Sequence, residues 1–177
     1  MSRMTHTSDL LVLHGAAVTL RTVREDDAAR LAQILAEPEV ARWWPRYEPD
    51  RVRADFVDAP HTVVFTIEVG GEVVGSVQYV EEPARDYRHA SIDVFLHPAW
   101  HGRGLGTDAV RTVARHLVHD RGHHRLAIDP AVANEKAIRT YRRVGFRPVG
   151  VMHQYERDAE GGWQDCLLME LLAPDLT

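Results

Sequence analysis

Three glycines at alternate positions, Gly102, Gly104 and Gly106, stand between a β-rich apolar run and a long amphipathic one. The stretch reads Ile92-Asp93-Val94-Phe95-Leu96-His97-Pro98-Ala99-Trp100-His101-Gly102-Arg103-Gly104-Leu105-Gly106-Thr107. A strand, a turn and a helix in that order leave the helix's first N–H groups without internal partners. Glycine lets a ligand approach such backbone closely, and the positive end of the helix dipole favours phosphate oxygens. Arg103 and Arg111 can add charge. Gly104 to Ala109 also satisfies the dinucleotide pattern G-x-G-x-x-A, with Asp129 beyond it. Against that reading, His97 to Arg103 intervene between the strand and the pattern, and the runs before it form a hairpin rather than parallel units.

A second constellation is Asn134-Glu135-Lys136-Ala137-Ile138-Arg139-Thr140-Tyr141-Arg142-Arg143-Val144-Gly145-Phe146. Helical periodicity puts Asn134, Ala137 and Tyr141 on one face, with Asn134 able to cap the helix and Ala137 leaving room beside it. Each also has a plain structural reading, a cap for Asn134 and a core aromatic for Tyr141. Asp129, before Pro130, is either a loop-starting residue or a carboxylate presented at a strand end. Asp93 faces the same choice. Trp43 and Trp44 are flat surfaces for sugar rings or cations, or core filler. Glu81, Glu82 and Asp86 make one loop acidic, either as substrate contacts or as a solvated face, and Asp165 is a further carboxylate of that kind.

The elements that must position these groups follow from period and punctuation. Val18 to Thr22 alternates as a strand. A helix opens at Arg24-Glu25-Asp26-Asp27 with Leu31, Ile34 and Leu35 as its apolar stripe, and Pro38 stops it. A short helix covers Asp50 to Val57. Thr62 to Val69 and Glu72 to Val80 form a hairpin around Gly70-Gly71, since a type I′ turn needs positive φ twice. Ala90 to Leu96 is a third strand, and the helix after the glycines runs from about Leu105 to His119. Leu126 to Asp129 is a short strand, and the Asn134 helix ends at Gly145, a left-handed cap. Arg147 to Tyr155 and Trp163 to Leu172 form a last hairpin. This is an α+β chain, one domain over residues 1–177, with helices flanking a mixed, mainly antiparallel central sheet.

Composition narrows the function. The 177 residues carry a net charge of −5, which disfavours a nucleic-acid partner and suits a cationic one. No run is long and apolar enough to span a bilayer, and Met1 to Asp9 lacks the apolar core of a signal peptide, so the expectation is no membrane association and a cytoplasmic location. The single cysteine, Cys166, lies in an apolar run and reads as core rather than nucleophile. The scattered histidines offer no metal-ligand spacing, so no metal is expected.

Residues 91–146 resemble the acetyl-CoA core of the GNAT acetyltransferase superfamily. His101-Gly102-Arg103-Gly104-Leu105-Gly106 is similar to its pyrophosphate loop [Q/R]-x-x-G-x-[G/A], with His101 replacing the usual Gln or Arg. Asn134 to Phe146 resembles its N-x-x-A-x-x-x-Y-x-x-x-G-F. Within the superfamily the chain is most similar to aminoglycoside 6′-N-acetyltransferases, through Trp43-Trp44, Gly75-Ser76-Val77-Gln78, Ile92-Asp93, and Ile128-Asp129-Pro130 followed by Asn134.

The resemblance implies acetyl-CoA as cosubstrate, held by the 101–107 turn, Asn134, Ala137 and Tyr141, with an oxyanion contact from backbone N–H around Phe95 or Leu96. It implies direct transfer to a cationic small molecule, an aminoglycoside, bound by Trp43, Trp44, Gln78, Asp93 and Asp129. Asp129 is the base or proton relay and Tyr141 the acid that protonates the departing sulfur. A homodimer through the C-terminal strands is the expected assembly. Two alternatives stay open. Arg21 to Asp27 resembles the opening of ribosomal-protein acetyltransferases, which points to a protein N-terminus or another small amine, and a CoA-binding module without turnover would keep the glycine turn.

Overall fold

The structure, a computed structural model, describes residues 10–177, so the reading of Met1 to Asp9 lies outside the described residues. Eight strands form one sheet in the order β1-β2-β3-β4-β5-β6-β8-β7. They are β1 (Val12–His14), β2 (Thr19–Thr22), β3 (Val63–Val69), β4 (Glu72–Glu82), β5 (His89–Leu96), β6 (Arg125–Ile128), β7 (Arg147–Arg157) and β8 (Trp163–Leu172). Only β5 and β6 run parallel; every other neighbouring pair is antiparallel. Gly70 and Gly71 turn β3 into β4 with φ of +59° and +82°, as their sequence requires.

Helices cover both faces. On one, α4 (Leu105–Arg115) packs Val110 and Val113 against Phe65, Val77, Ile92 and Leu126, all buried, with α5 (Glu135–Val144) beside it. On the other, α1 (Ala28–Leu35), α2 (Pro38–Ala41) and α3 (Pro49–Val52) enclose Leu31, Ile34, Phe56 and Phe95. The side-chain period of two decides which face each β5 residue serves. Ile92 and Leu96 join the α4 core, while Phe95 joins the α1–α3 core. Asp93 therefore shares the α1–α3 face with Phe95.

Three expectations change. Strand β4 runs on to Glu82, past the expected Val80, which places Glu81 and Glu82 on a strand rather than in the loop. Pro38 follows the end of α1 at Leu35, as expected, and is itself the first residue of α2, where proline's missing N–H does no harm. A first strand, β1, precedes the expected one. The turn joining it to β2 is held by Asp108 of α4, whose carboxylate accepts the N–H groups of Ala16, Ala17 and Val18 at 3.0, 2.7 and 3.0 Å. Strand β7 extends to Arg157, past the expected Tyr155.

The feature that positions the site is a split. Strands β5 and β6 pair only at Ala90 with Leu126 and Ser91 with Ala127, whereas β4 follows β5 through to Leu96. Beyond Ser91 the two parallel strands part. The gap opens beside Val94 and Leu96.

Candidate active site

The open edge of β5 can be read from its hydrogen bonds. His97 N–H donates to the Val74 carbonyl at 2.8 Å, one register step beyond the pairing of Leu96 with Gly75. Antiparallel alternation then sends Phe95 N–H into the ladder with β4 and turns the N–H groups of Val94 and Leu96 towards the gap. The Leu96 carbonyl faces the same way and accepts from His101 Nε2 at 2.8 Å. A carbonyl can only accept, so His101 carries its proton on Nε2. Its Nδ1 is buried without a hydrogen-bond partner, and burial lowers its pKa, which keeps the ring neutral.

The glycine turn follows. Gly102 and Gly104 have φ of +75° and +76°, which L side chains rarely adopt, and Gly104 opens α4 from this left-handed geometry. A Cβ on either would meet open space, whereas one on Gly106 would stand 3.4 Å from Leu96 Cδ1. The turn needs glycine for its backbone at 102 and 104, while a Cβ at 106 would meet Leu96 and Thr140 at ordinary contact distance. Asn134 caps α5, its Oδ1 accepting Ala137 N–H at 3.2 Å, and Tyr141 lies two turns on with 7% exposure.

Two cavities meet here. One of about 630 Å³ is lined by Phe95, Leu96, His101, Gly102, Gly104, Leu105, Gly106, Thr107, Asn134, Ala137 and Tyr141. The other, about 520 Å³, is lined by Gln78, Asp93, Ile128, Asp129, Tyr155 and Glu156 among others. Trp43, Trp44, Val94, Asn134 and Tyr141 line both. The structure thus brings Trp43, Trp44, Gln78, Asp93, Asp129, Asn134, Ala137, Tyr141 and the glycine turn around one junction.

The second cavity gathers three carboxylates, Asp93, Asp129 and Glu156, and three arginines, Arg46, Arg51 and Arg157. Asp93 is exposed to the cavity. Desolvation by the protein packed around its carboxyl first, then the charge of Asp129 and more weakly of Glu156, pushes that carboxyl up to about 7, against the lowering effect of Gln78. Gln78 faces Asp93 across the β4–β5 pair, and its Oε1 is buried without a partner. Burial also raises the Glu156 carboxyl. Tyr141's phenol is raised by burial and by Asp93 and Asp129, so it stays protonated and able to donate.

The two tryptophans differ. Trp44 packs on Phe95, Tyr47 and Phe56 at ring separations of 5.1, 5.8 and 6.1 Å, so much of it is core. Trp43 carries Arg42 over its ring at 4.6 Å.

Several expected side chains are engaged elsewhere. Arg103 stacks on Trp100 at 4.8 Å and donates to the Ala99 carbonyl, so it does not line the cleft. Arg111 donates to the carbonyls of Thr177 and Arg143. Glu81 is held by Arg121 and by the buried His123, which lower its pKa to about 2, and Glu82 accepts from Ala84 N–H; with Asp86 they lie outside both cavities. Asp165 accepts from backbone and from His153. Cys166 is buried, with its thiol pushed up to about 12, which makes it inert. Among the described residues there is no cluster of His, Cys, Asp and Glu suited to a metal ion, and no helix long and apolar enough to cross a membrane.

Sequence reasoning missed Tyr155, Glu156, Arg46 and Arg157 in the second cavity, and Lys136, Arg139 and Arg143 along the first. For the last three a signal was present, since 136, 139 and 143 share a helix face.

A split mixed sheet over two joined cavities, one beneath a glycine turn and one floored by carboxylates, is the build of a transferase that brings a phosphate-bearing donor to an amine. The chain belongs to the acetyltransferase (GNAT) domain family, which matches residues 17–147, and it is an acetyl-CoA-dependent N-acetyltransferase. It is 30% identical over 154 residues to the aminoglycoside N(6′)-acetyltransferase type 1 of Klebsiella pneumoniae, covering 77% of each chain. It is 27% identical over 147 residues to the spermidine N(1)-acetyltransferase of Escherichia coli K12, covering 78% of each. Among solved structures, Mycobacterium smegmatis RimJ in complex with CoA-disulfide superposes with a TM-score of 0.77 at 26% identity, covering 94% of this chain and 88% of that one.

Proposed function

We propose that the acceptor is an aminoglycoside, acetylated on one amine, the 6′ position by similarity to the Klebsiella relative. The observation that carries this is the carboxylate floor, where Asp93, Asp129 and Glu156 share one cavity beside Tyr141. An amine must arrive as an ammonium at neutral pH and lose a proton before it can attack. Carboxylates bind it, and one of them must also accept that proton.

The donor cleft fits acetyl-CoA on three counts. The first N–H groups of α4 are exposed at a turn whose glycines leave open space, Leu96 N–H faces the gap, and Tyr141 lies at its inner end. Residues 102–107 hold the pyrophosphate, and Asn134 and Ala137 flank the pantetheine arm. Bound acetyl-CoA supplies an electrophilic thioester carbonyl and a thiolate leaving group.

Asp93 is the better base. Its carboxyl, pushed up to about 7, matches the proton affinity that general-base work at neutral pH requires, whereas an ordinary aspartate does not. Asp129 and Glu156 anchor the ammonium. Asp93 takes the proton from the bound amine, directly or through one water, as nitrogen attacks. Leu96 N–H donates to the carbonyl oxygen as negative charge builds there. Tyr141 gives its proton to the sulfur as the C–S bond breaks and recovers one from the acetylated nitrogen. The products are an amide, a free thiol and one proton left on Asp93.

A polyamine is the second reading, favoured by the spermidine relative and by the same carboxylates. Free thiol release from acetyl-CoA, measured with kanamycin, tobramycin, spermidine and a peptide amine in parallel, separates them. The proposal requires the highest kcat/KM with an aminoglycoside. A higher value with spermidine or the peptide overturns the acceptor, and no release with any of them overturns the amine site.

A further inference from the structure

Strand β7 contains a bulge that the transfer chemistry alone does not explain. Met152 pairs with Cys166 and Glu156 with Gln164, so His153, Gln154 and Tyr155 stand opposite the single residue Asp165. Gln154 has φ of +49°, a left-handed conformation that costs a non-glycine residue free energy and persists only where its surroundings impose it. The surroundings are one side chain. Asp165 Oδ1 accepts Gln154 N–H at 2.8 Å, and Oδ2 accepts from His153 Nδ1 at 2.9 Å.

The residues flanking Asp165 hold the far end of the bulge. Cys166 Sγ lies 3.6 Å and Gln164 Nε2 3.3 Å from Glu156 Oε2. The segment after Asp129 is tied to the same place, because Val132 N–H donates to the Asp165 carbonyl at 2.9 Å and Leu167 N–H to the Pro130 carbonyl at 2.8 Å. Tyr155, Glu156 and Asp129 all line the acceptor-side cavity. Asp165 does not line it.

We propose that Asp165 is a positioning residue for acceptor recognition. Its carboxylate clamps the β7 bulge, and that clamp aims Tyr155 and Glu156 at Asp129 across the cavity. Without it, an ordinary two-residue repeat would carry Tyr155 or Glu156 to the opposite face of the sheet. The effect on acceptor binding rests on reading this cavity as the acceptor site; the clamp itself does not.

The test compares Asp165→Ala with Asp165→Asn, whose amide oxygen can still accept the Gln154 N–H. Asp165→Ala is expected to raise the acceptor KM about tenfold, with the acetyl-CoA KM changed by less than about twofold, as loss of one charge-assisted hydrogen bond to a binding wall predicts. Asp165→Asn is expected to restore most of that loss. Amide hydrogen exchange supplies the independent arm. Gln154 N–H is expected to be protected in the wild type and in Asp165→Asn, and to exchange freely in Asp165→Ala. A Gln154 amide equally protected in Asp165→Ala overturns the clamp. A parallel rise of both KM values, or no rise in the acceptor KM, overturns its role in recognition. Should the wild type turn over no amine, the acceptor reading fails by itself, and the exchange arm still decides whether Asp165 holds the wall.

Discussion

At the scale of single residues, the site works by giving like groups unlike surroundings. Asp93 faces the cavity beside Asp129, and the protein packed around it together with that neighbouring charge pushes its carboxyl up to about 7. In the proposed role of base it must be ionised, so kcat/KM is expected to rise with pH through about 7. Asp93→Asn should lower the rate by about 10²-fold or more and flatten that rise. Stability moves oppositely. A carboxyl whose folded pKa lies above its unfolded value favours folding fully only below the unfolded value, and that advantage disappears as pH rises through the folded one. Asp93→Asn should therefore melt higher than the wild type at pH 8, and the difference should vanish by about pH 4, near the unperturbed aspartate pKa. Melting curves at several pH values check this. Tyr141 lies buried between the two cavities with its phenol protonated. Tyr141→Phe should lower kcat about 10²-fold while leaving the dissociation constant for CoA within a factor of about three, read by stopped turnover and calorimetry.

At the scale of elements, the parting of β5 from β6 does the positioning, and β4 supports it from behind. Gly75 is the tightest point of that support. A Cβ there would collide with the Phe95 carbonyl and stand 2.9 Å from Leu96 Cδ2. Gly75→Ala must push the end of β5 towards the gap, and it is expected to cost about 1–3 kcal/mol in denaturant unfolding and to raise the acetyl-CoA KM. This element scale is also where sequence reading divides. The β3–β4 hairpin, β5, the glycine turn and the capped α5 are local patterns, and each forms where its period or cap places it, with β4 running two residues further, to Glu82. Short β1 is not legible, because three residues carry no periodicity and its turn is held by Asp108 from a helix far along the chain. Pro38 marks the end of α1 as read but hides the start of α2, because proline suits a helix's first residue as well as the stretch beyond its end. The β7 bulge is invisible because Gln154 takes a glycine-like backbone without being glycine, under the control of Asp165 on the next strand.

At the scale of the whole molecule, the same division explains the site. The glycine turn, Asn134, Ala137 and Tyr141 lie in two contiguous motifs, so their types and spacing disclose them. Tyr155 and Glu156 enter the cavity only through the register of β7 on β8, Arg111 is taken by carbonyls that tertiary packing brings to it, and Arg103 folds back on its own turn against Trp100 and Ala99. Glu81 and Glu82 are bound within the fold, whereas Asp93, Asp129 and Glu156 face one cavity together. Cofactor binding should couple to the stability of the entire sheet, because the donor cleft spans β5, α4 and α5. CoA at about one hundred times its dissociation constant is expected to stabilise by about 2.7 kcal/mol and to raise the melting temperature by roughly 5–10 °C. The most direct test is amide hydrogen exchange with and without acetyl-CoA. Slowing should concentrate at Leu105, Gly106 and Thr107 and at Leu96, where the turn and the open strand edge present their N–H groups. Protection centred anywhere else, or none at the turn, would contradict the reading of that turn as the pyrophosphate grip.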